Sequence, residues 1–279
     1  VENGQLYTDK IIRTAKKLTG WIETDGKWYY YNENGVMQRG WIEIDGVHYY
    51  LGITGVRATG WFIDYETNIW YYFDENGAMQ TGWLDIDGER YYLNKSGAMQ
   101  TGWIKIDDEW YYFNTSGKMQ TNWVFDGFNY YYLDESGVMQ TGWIEDNGER
   151  YYLSESGAMV IGWIEINGQW NYLDDSGTMH TNWFFNGVNY YYLDESGVMQ
   201  TGWLSDMGKS YYLSESGEMA TGWIEDNGER YYLSESGAMQ TGWIFSDDNW
   251  YYLRNNGVMA INDVIDGWSI NQNGIATKL

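Results

Sequence analysis

Trp21 and Trp28 stand seven residues apart, as do Trp103 and Trp110, Trp163 and Trp170, and Trp243 and Trp250, while Trp61 and Trp70 stand nine apart. Paired indoles at a fixed spacing can form two walls of an open box. A Tyr from a neighbouring segment can supply a third. Each ring face carries negative quadrupole density, so such a box attracts a cation. A quaternary ammonium suits it well, because it has no conventional donors to leave unpaired; choline is an example. Each wall contributes roughly 0.5–2 kcal/mol, which gives one box an affinity of about a millimolar dissociation constant.

Aromatic stripes in a repetitive chain are more often core than ligand walls. The residue at the second indole's position argues against a plain core. Along the chain it reads Trp28, His48, Trp70, Arg90, Trp110, Tyr130, Arg150, Trp170, Tyr190, Ser210, Arg230 and Trp250. A core position does not accept Arg and Ser so freely. This one is exposed or lines a groove, and it has been specialised unit by unit.

The elements that must position these residues come from a repeat. Twelve Trp residues, from Trp21 to Trp243, recur every 20 residues, with 22 between Trp61 and Trp83. Ten follow Gly, and Trp123 and Trp183 follow Asn. Counting from that Trp as position 0, and allowing for the two extra residues of the third unit, Gly falls at +14 and Tyr at +9 in all twelve units. Met falls at +16 in eleven, and Arg57 is the exception. The nineteen residues at 141–159 occur again at 221–239.

Segments such as "WIE" and "RYYL" are short, aromatic and branched, which favours strands. "DNG", "IDG" and "FNG" lie between them, and Asn-Gly and Asp-Gly are strong tight-hairpin signals. Each unit therefore reads as a β-hairpin and a linking loop. A lone hairpin is marginal in water, so the units must stack, each on the next. The expectation is an all-β solenoid of about twelve hairpins over residues 21–260. Residues 1–20 are atypical, and "TDKIIRTAKKL" reads as a helix or a degraded unit. Residues 261–279 read as a degenerate capping repeat around Trp268.

Strand alternation puts the +7 and +9 residues on the face toward the neighbouring unit and the +8 and +10 residues on an inner seam. The expected boxes are then Trp21, Trp28 and Tyr50; Trp61, Trp70 and Tyr92; Trp103, Trp110 and Tyr132; and Trp163, Trp170 and Tyr192. Trp243 and Trp250 take Trp268 as third wall. Weaker boxes are Trp123, Tyr130 and Tyr152, and Trp183, Tyr190 and Tyr212, because Tyr offers a smaller π-face. The +16 Met adds a polarisable floor. Junctions headed by Arg90, Arg150 and Arg230 are expected empty, since a fixed cation opposes a second one; Arg150 can also pair with Glu145 or Glu149 on a solvated face.

The composition narrows the function further. Of 279 residues, 19% are aromatic, with 18 Trp and 28 Tyr, which argues against disorder. The formal charge of −24 argues against nucleic acid and anionic membranes as partners. It is compatible with a cationic ligand, or simply with keeping a Trp-rich surface in solution. Cys is absent, which excludes disulfides and thiolate chemistry. The first residue is Val1, without a signal-peptide pattern or a membrane-length apolar run; a mature, processed product and a trimmed one both fit. The non-repeat ends total about 40 residues, too few for a separate enzyme domain. The two His residues, His48 and His180, lie in different units. No enzyme activity, cofactor or metal is expected.

The grammar "TGW…WYY(L/F)…GxMQTGW" resembles the choline-binding repeat of pneumococcal choline-binding proteins and related phage lysins, over about residues 20–260. The resemblance implies a left-handed superhelix with about three hairpins per turn. It implies sites made of two aromatic residues from one hairpin and one from the next. It also implies attachment to phosphocholine on teichoic and lipoteichoic acids of a Gram-positive wall, by a secreted surface protein that modulates wall hydrolases. A glucan- or carbohydrate-binding module with similar grammar, and the wall-binding half of a lysin, are the alternatives.

Overall fold

A computed structural model describes residues 17–279, and all of their regular structure is β. The hairpins form where expected. Gly82–Ile86 pairs with Glu89–Leu93, and Gly142–Asp146 with Glu149–Leu153, each antiparallel across a two-residue turn. Both central turn residues take positive φ, as at Asn147 (52°) and Gly148 (82°), which is the primed turn that matches the twist of two strands. Asp107 and Asp108 adopt it without any Gly, at 50° and 70°.

The tight turn expected of "FNG" does not form. Phe185 pairs with Tyr190, so residues 186–189 make a four-residue loop. Its Gly187 comes one place too early, and the next position, which needs positive φ, holds Val188, a branched residue that resists it. The Asn186 side chain holds the loop instead, accepting from the N–H groups of Val188 at 2.9 Å and Asn189 at 2.8 Å. Asp126 does the same for Phe128 and Asn129.

After each hairpin the loop turns back and makes a bridge, for example Leu93 with Met99. It then grips the preceding hairpin through the backbone: Met99 N–H donates to the Trp70 carbonyl at 2.8 Å. The +10 residues, such as Phe73, Leu93, Phe113 and Leu193, are fully buried and make the spine. The +14 Gly sits under the Met of the preceding unit. A Cβ on Gly55, at φ +82°, would lie 2.8 Å from Met37 Sδ. Both the left-handed conformation and the space call for Gly.

The chain divides into two units: residues up to Val124 with Leu133–Met139, and Phe125–Tyr132 with Gln140–Leu279. In the first, Lys17 stands beside Gly35 where other units place Met; residues 1–16, and with them most of the segment read as a helix or a degraded unit, lie outside the described residues. In the second, Gly242–Ser246 and Asn249–Leu253 join a five-stranded sheet with Ala276–Lys278, Trp268–Ile270 and Asp263–Ile265. Ala260, Ile270 and Ala276 are buried there, with Trp243, Tyr252 and Trp268 packed against them.

Candidate cation-binding boxes

Two open boxes stand out, one in each unit. In the first, a cavity of about 460 Å³ is lined by Trp61, Trp70, Tyr91, Met99, Thr115 and Ser116. The indoles meet nearly at right angles, with centroids 6.5 Å apart and planes at 81°, and Tyr91 lies 4.8 Å from Trp61. In the second, about 370 Å³ is lined by Trp163, Trp170, Tyr191, Met199, Glu215 and Ser216. There the indoles are 6.4 Å apart at 77°, with Tyr191 5.0 Å from Trp163. Three hairpins contribute to each box: one gives both indoles, the next gives the Tyr wall and the Met floor, and the loop of the third forms the rim. Trp70 and Trp170 remain 41% exposed, so each box is open to solvent.

The third wall is the +8 Tyr, not the +9 Tyr expected from alternation. Tyr92 packs on Trp83 of its own hairpin at 5.2 Å, because the two are cross-strand partners. The other +9 residues, among them Tyr50, Tyr152, Tyr192 and Tyr212, sit likewise against Trp41, Trp143, Trp183 and Trp203 of their own hairpins. Alternation was right about which residues share a face. The stacking joins unlike faces: positions 0, +7 and +9 of one hairpin meet +1, +8 and +10 of the next. Trp163 accordingly touches Phe184 and Tyr191. The +8 Tyr moves from the expected inner seam to a buried box wall, and Tyr91 and Tyr191 are each 8% exposed.

Side-chain hydrogen bonds fix several of the first indoles. Trp183 Nε1–H donates to Asp206 at 3.0 Å, Trp203 to Asp226 at 3.1 Å and Trp243 to Asp266 at 3.2 Å. Each acceptor lies at the turn of the next hairpin, so part of the acidic composition orients the rings.

Of the other expected boxes, Trp183 has Tyr211 as its wall at 4.9 Å, and Tyr190 leans on Phe185 at 4.7 Å. Trp243 does meet Trp268, at 5.6 Å, and Trp250 packs on Phe245 at 5.3 Å. Trp103, Trp110 and Tyr132, and Trp123, Tyr130 and Tyr152, draw their residues from both units. At Trp21 and Trp28 the third wall is Tyr49, 5.0 Å from Trp21. That box holds a side chain of this chain: Arg57 Cζ lies 5.5 Å from one indole and 5.4 Å from the other.

The three Arg-headed junctions carry their guanidinium over the indole. Arg90 stands 4.9 Å from Trp83, Arg150 4.7 Å from Trp143 and Arg230 4.6 Å from Trp223. Arg90 also pairs with Asp85 at 3.2 Å, its cross-strand neighbour. Arg150 reaches the Ser196 carbonyl at 3.4 Å. The Trp143 junction lacks an aromatic third wall as well, because the +8 residue of the next hairpin is Asn171. It is 4% exposed and donates to the Gly197 carbonyl at 2.6 Å.

A family model for the choline-binding repeat matches residues 18–52, 39–80, 67–101, 80–123, 100–139, 124–161, 160–197 and 220–263. The chain belongs to the choline-binding repeat family. A second model, a putative cell wall binding repeat, matches residues 201–219. The solved structure of CbpJ from Streptococcus pneumoniae TIGR4 is 34% identical over 92% of this chain and 99% of its own, with a TM-score of 0.51. Choline binding protein F from Streptococcus pneumoniae is 32% identical over 93% and 98%, also at 0.51. The modular autolysin LytC of the same organism shares the fold, at 24% identity and TM-score 0.55, over 80% of this chain and 52% of its own. No curated protein sequence matches. The family's repeats bind choline and cell wall, and their presence along the chain places it among surface-associated proteins.

Proposed function

We propose that this chain attaches non-covalently to phosphocholine on teichoic and lipoteichoic acids of a Gram-positive wall, as a secreted surface protein. The observation that supports this most is the pair of open Trp–Trp–Tyr boxes with Met floors, at Trp61/Trp70/Tyr91 and Trp163/Trp170/Tyr191. Their nearly perpendicular indoles border cavities of about 460 and 370 Å³, which is room enough for a trimethylammonium head. One box binds at about millimolar strength. Several boxes on one polymer act together, which adds roughly 10²–10⁴ in avidity. A chain that holds phosphocholine in this way modulates choline-dependent wall hydrolases by competing for the same groups.

The test is retention on a choline-type resin with elution by free choline, set beside retention on dextran. Choline-specific retention, and tighter binding to purified teichoic acid than to choline, are the expected results. Retention on dextran alone would replace this reading with a carbohydrate module. Choline should also raise the melting temperature, because the boxes exist only where folded hairpins meet.

A further inference from the structure

The first box differs from the two open ones most plainly at its floor. Trp21, Trp28 and Tyr49 repeat the walls of Trp61, Trp70 and Tyr91. The floor position holds Arg57 instead of Met99. The two floors leave the backbone from equivalent points: Arg57 N–H donates to the Trp28 carbonyl at 2.9 Å, as Met99 N–H does to Trp70 at 2.8 Å. Arg57 begins as Met does, with its methylenes covering Gly77. It then runs on between the two indoles.

Its far end reaches the rim. Nη2 donates to the Glu75 carbonyl at 3.0 Å, and Glu75 occupies the loop place that Thr115 has at the open box. Nε is buried and has no hydrogen-bond partner. The guanidinium carbon stands over both indole faces, and that cation–π attraction offsets part of the cost of burying the group. Trp28 is correspondingly covered, falling in the half-buried class, whereas Trp70, Trp110, Trp170 and Trp250 are 40–42% exposed. Burial holds the Arg57 pKa below its ordinary value against the opposing pull of Asp74 and Tyr49; a guanidinium keeps its charge through such changes.

We infer that Arg57 is an internal ligand: the first box is complete but filled by the chain's own cation, so it takes no choline, and replacing Arg57 with the family's Met opens it to a quaternary ammonium. The inference rests on the reading proposed above. It differs from the Arg-headed junctions, where a wall itself has been replaced. Here every wall is intact and the plug comes from the floor.

Choline-soaked crystals of the wild type, Arg57→Met, Trp28→Ala and Trp70→Ala test it. The wild type should show density at Trp61/Trp70 and none at Trp21/Trp28. Arg57→Met should add one occupied site, at Trp21/Trp28. Trp28→Ala should leave the set of occupied sites unchanged, while Trp70→Ala should lose one. Equilibrium dialysis with labelled choline reads the same gain and loss of one per chain, and the Ala variants keep the test open if Arg57→Met folds poorly. Choline at Trp21/Trp28 in the wild type, a site lost in Trp28→Ala, or a folded Arg57→Met with no added site overturns the plug. A wild type that takes up no choline anywhere overturns the proposed function, and the plug as an account of choline selection with it.

Discussion

The junction at Trp143 and the junction at Trp163 lie one repeat apart in the same unit, and they share a scaffold. Met179 N–H donates to the Arg150 carbonyl at 2.8 Å, and Met199 N–H to the Trp170 carbonyl at 2.8 Å. Both hairpins have the same register and the same buried +10 Leu. Side chains on the junction differ, above all Arg150 against Trp170 and Asn171 against Tyr191, with Ile164 against Phe184 beside them. One junction carries an internal cation and no aromatic third wall; the other is an open box. The backbone thus holds the stack together, and the side chains at each junction, the +7 residue and the next hairpin's +8 residue foremost, decide what it receives. The neighbouring loop holds the +7 residue by its carbonyl, which leaves the side chain free to change without unstacking the hairpin.

The largest effect should come from breaking the shared scaffold. Gly177→Val puts a branched side chain at φ +81° and against Met159. Strain and overpacking together cost about 2–5 kcal/mol. Thermal denaturation should show a clearly lowered melting temperature, and a variant as stable as wild type would mean that the Gly–Met contact does not hold the stack.

Next is the loss of one wall. Trp170→Ala should weaken choline at its own box by about 2- to 30-fold, the worth of one cation–π wall, while Arg150→Ala should not. Indole signals of Trp163 followed by NMR during a choline titration read this site alone.

A finer comparison separates the two side chains. Arg90→Trp should create a choline site by itself, because Tyr111 already stands 4.9 Å from Trp83. Arg150→Trp should not, until Asn171→Tyr supplies the missing wall. A site at Trp143 with Asn171 still in place would show that two walls suffice.

These contrasts also show what was legible in the sequence. The period, the hairpins, the spine and the pairing of first and second indoles follow from spacing and turn chemistry. Alternation grouped Tyr92 with Arg90 and put Tyr91 on the other face, and the register adds Trp83 opposite Tyr92. It could not say which face of the next hairpin arrives, because that depends on how one unit is placed on another. The opened turn at Asn186 was readable, since Gly187 sits one position early. The plug left one mark, Arg57 as the sole departure from Met at its position; its reach between two indoles needed coordinates.

The smallest expected effect concerns acid. Burial pushes the Asp194 carboxyl up, but Ser196 Oγ and the N–H groups of Val198, Ser196 and Gly197 outweigh it and hold it below the usual carboxylate range. Asp134 and Asp174 are held low in the same way. A carboxyl with a lowered folded pKa contributes stability that is present above its unfolded value, about pH 4, and lost as pH falls through the folded value. Units with Ser in this place, such as Ser214 and Ser234, have no carboxylate there to titrate. Asp194→Ser should therefore slightly flatten the fall of melting temperature between about pH 4 and pH 2. An unchanged acid limb would show that the loop carboxylate adds nothing.

The meeting of unlike faces has a consequence for how such a chain is counted. Within a unit each hairpin offers one surface forward and a different one back, as a head-to-tail contact does. Such a series has polarity and no internal reason to stop. A two-fold arrangement would close after a single contact; this one accepts another member each time. In the second unit the face of Trp243 and Tyr252 is met by Trp268 and Ile270, on strands only three residues long. The number of junctions is therefore set by how many times the coding unit was copied, and selection can adjust binding strength by adding copies as readily as by changing side chains.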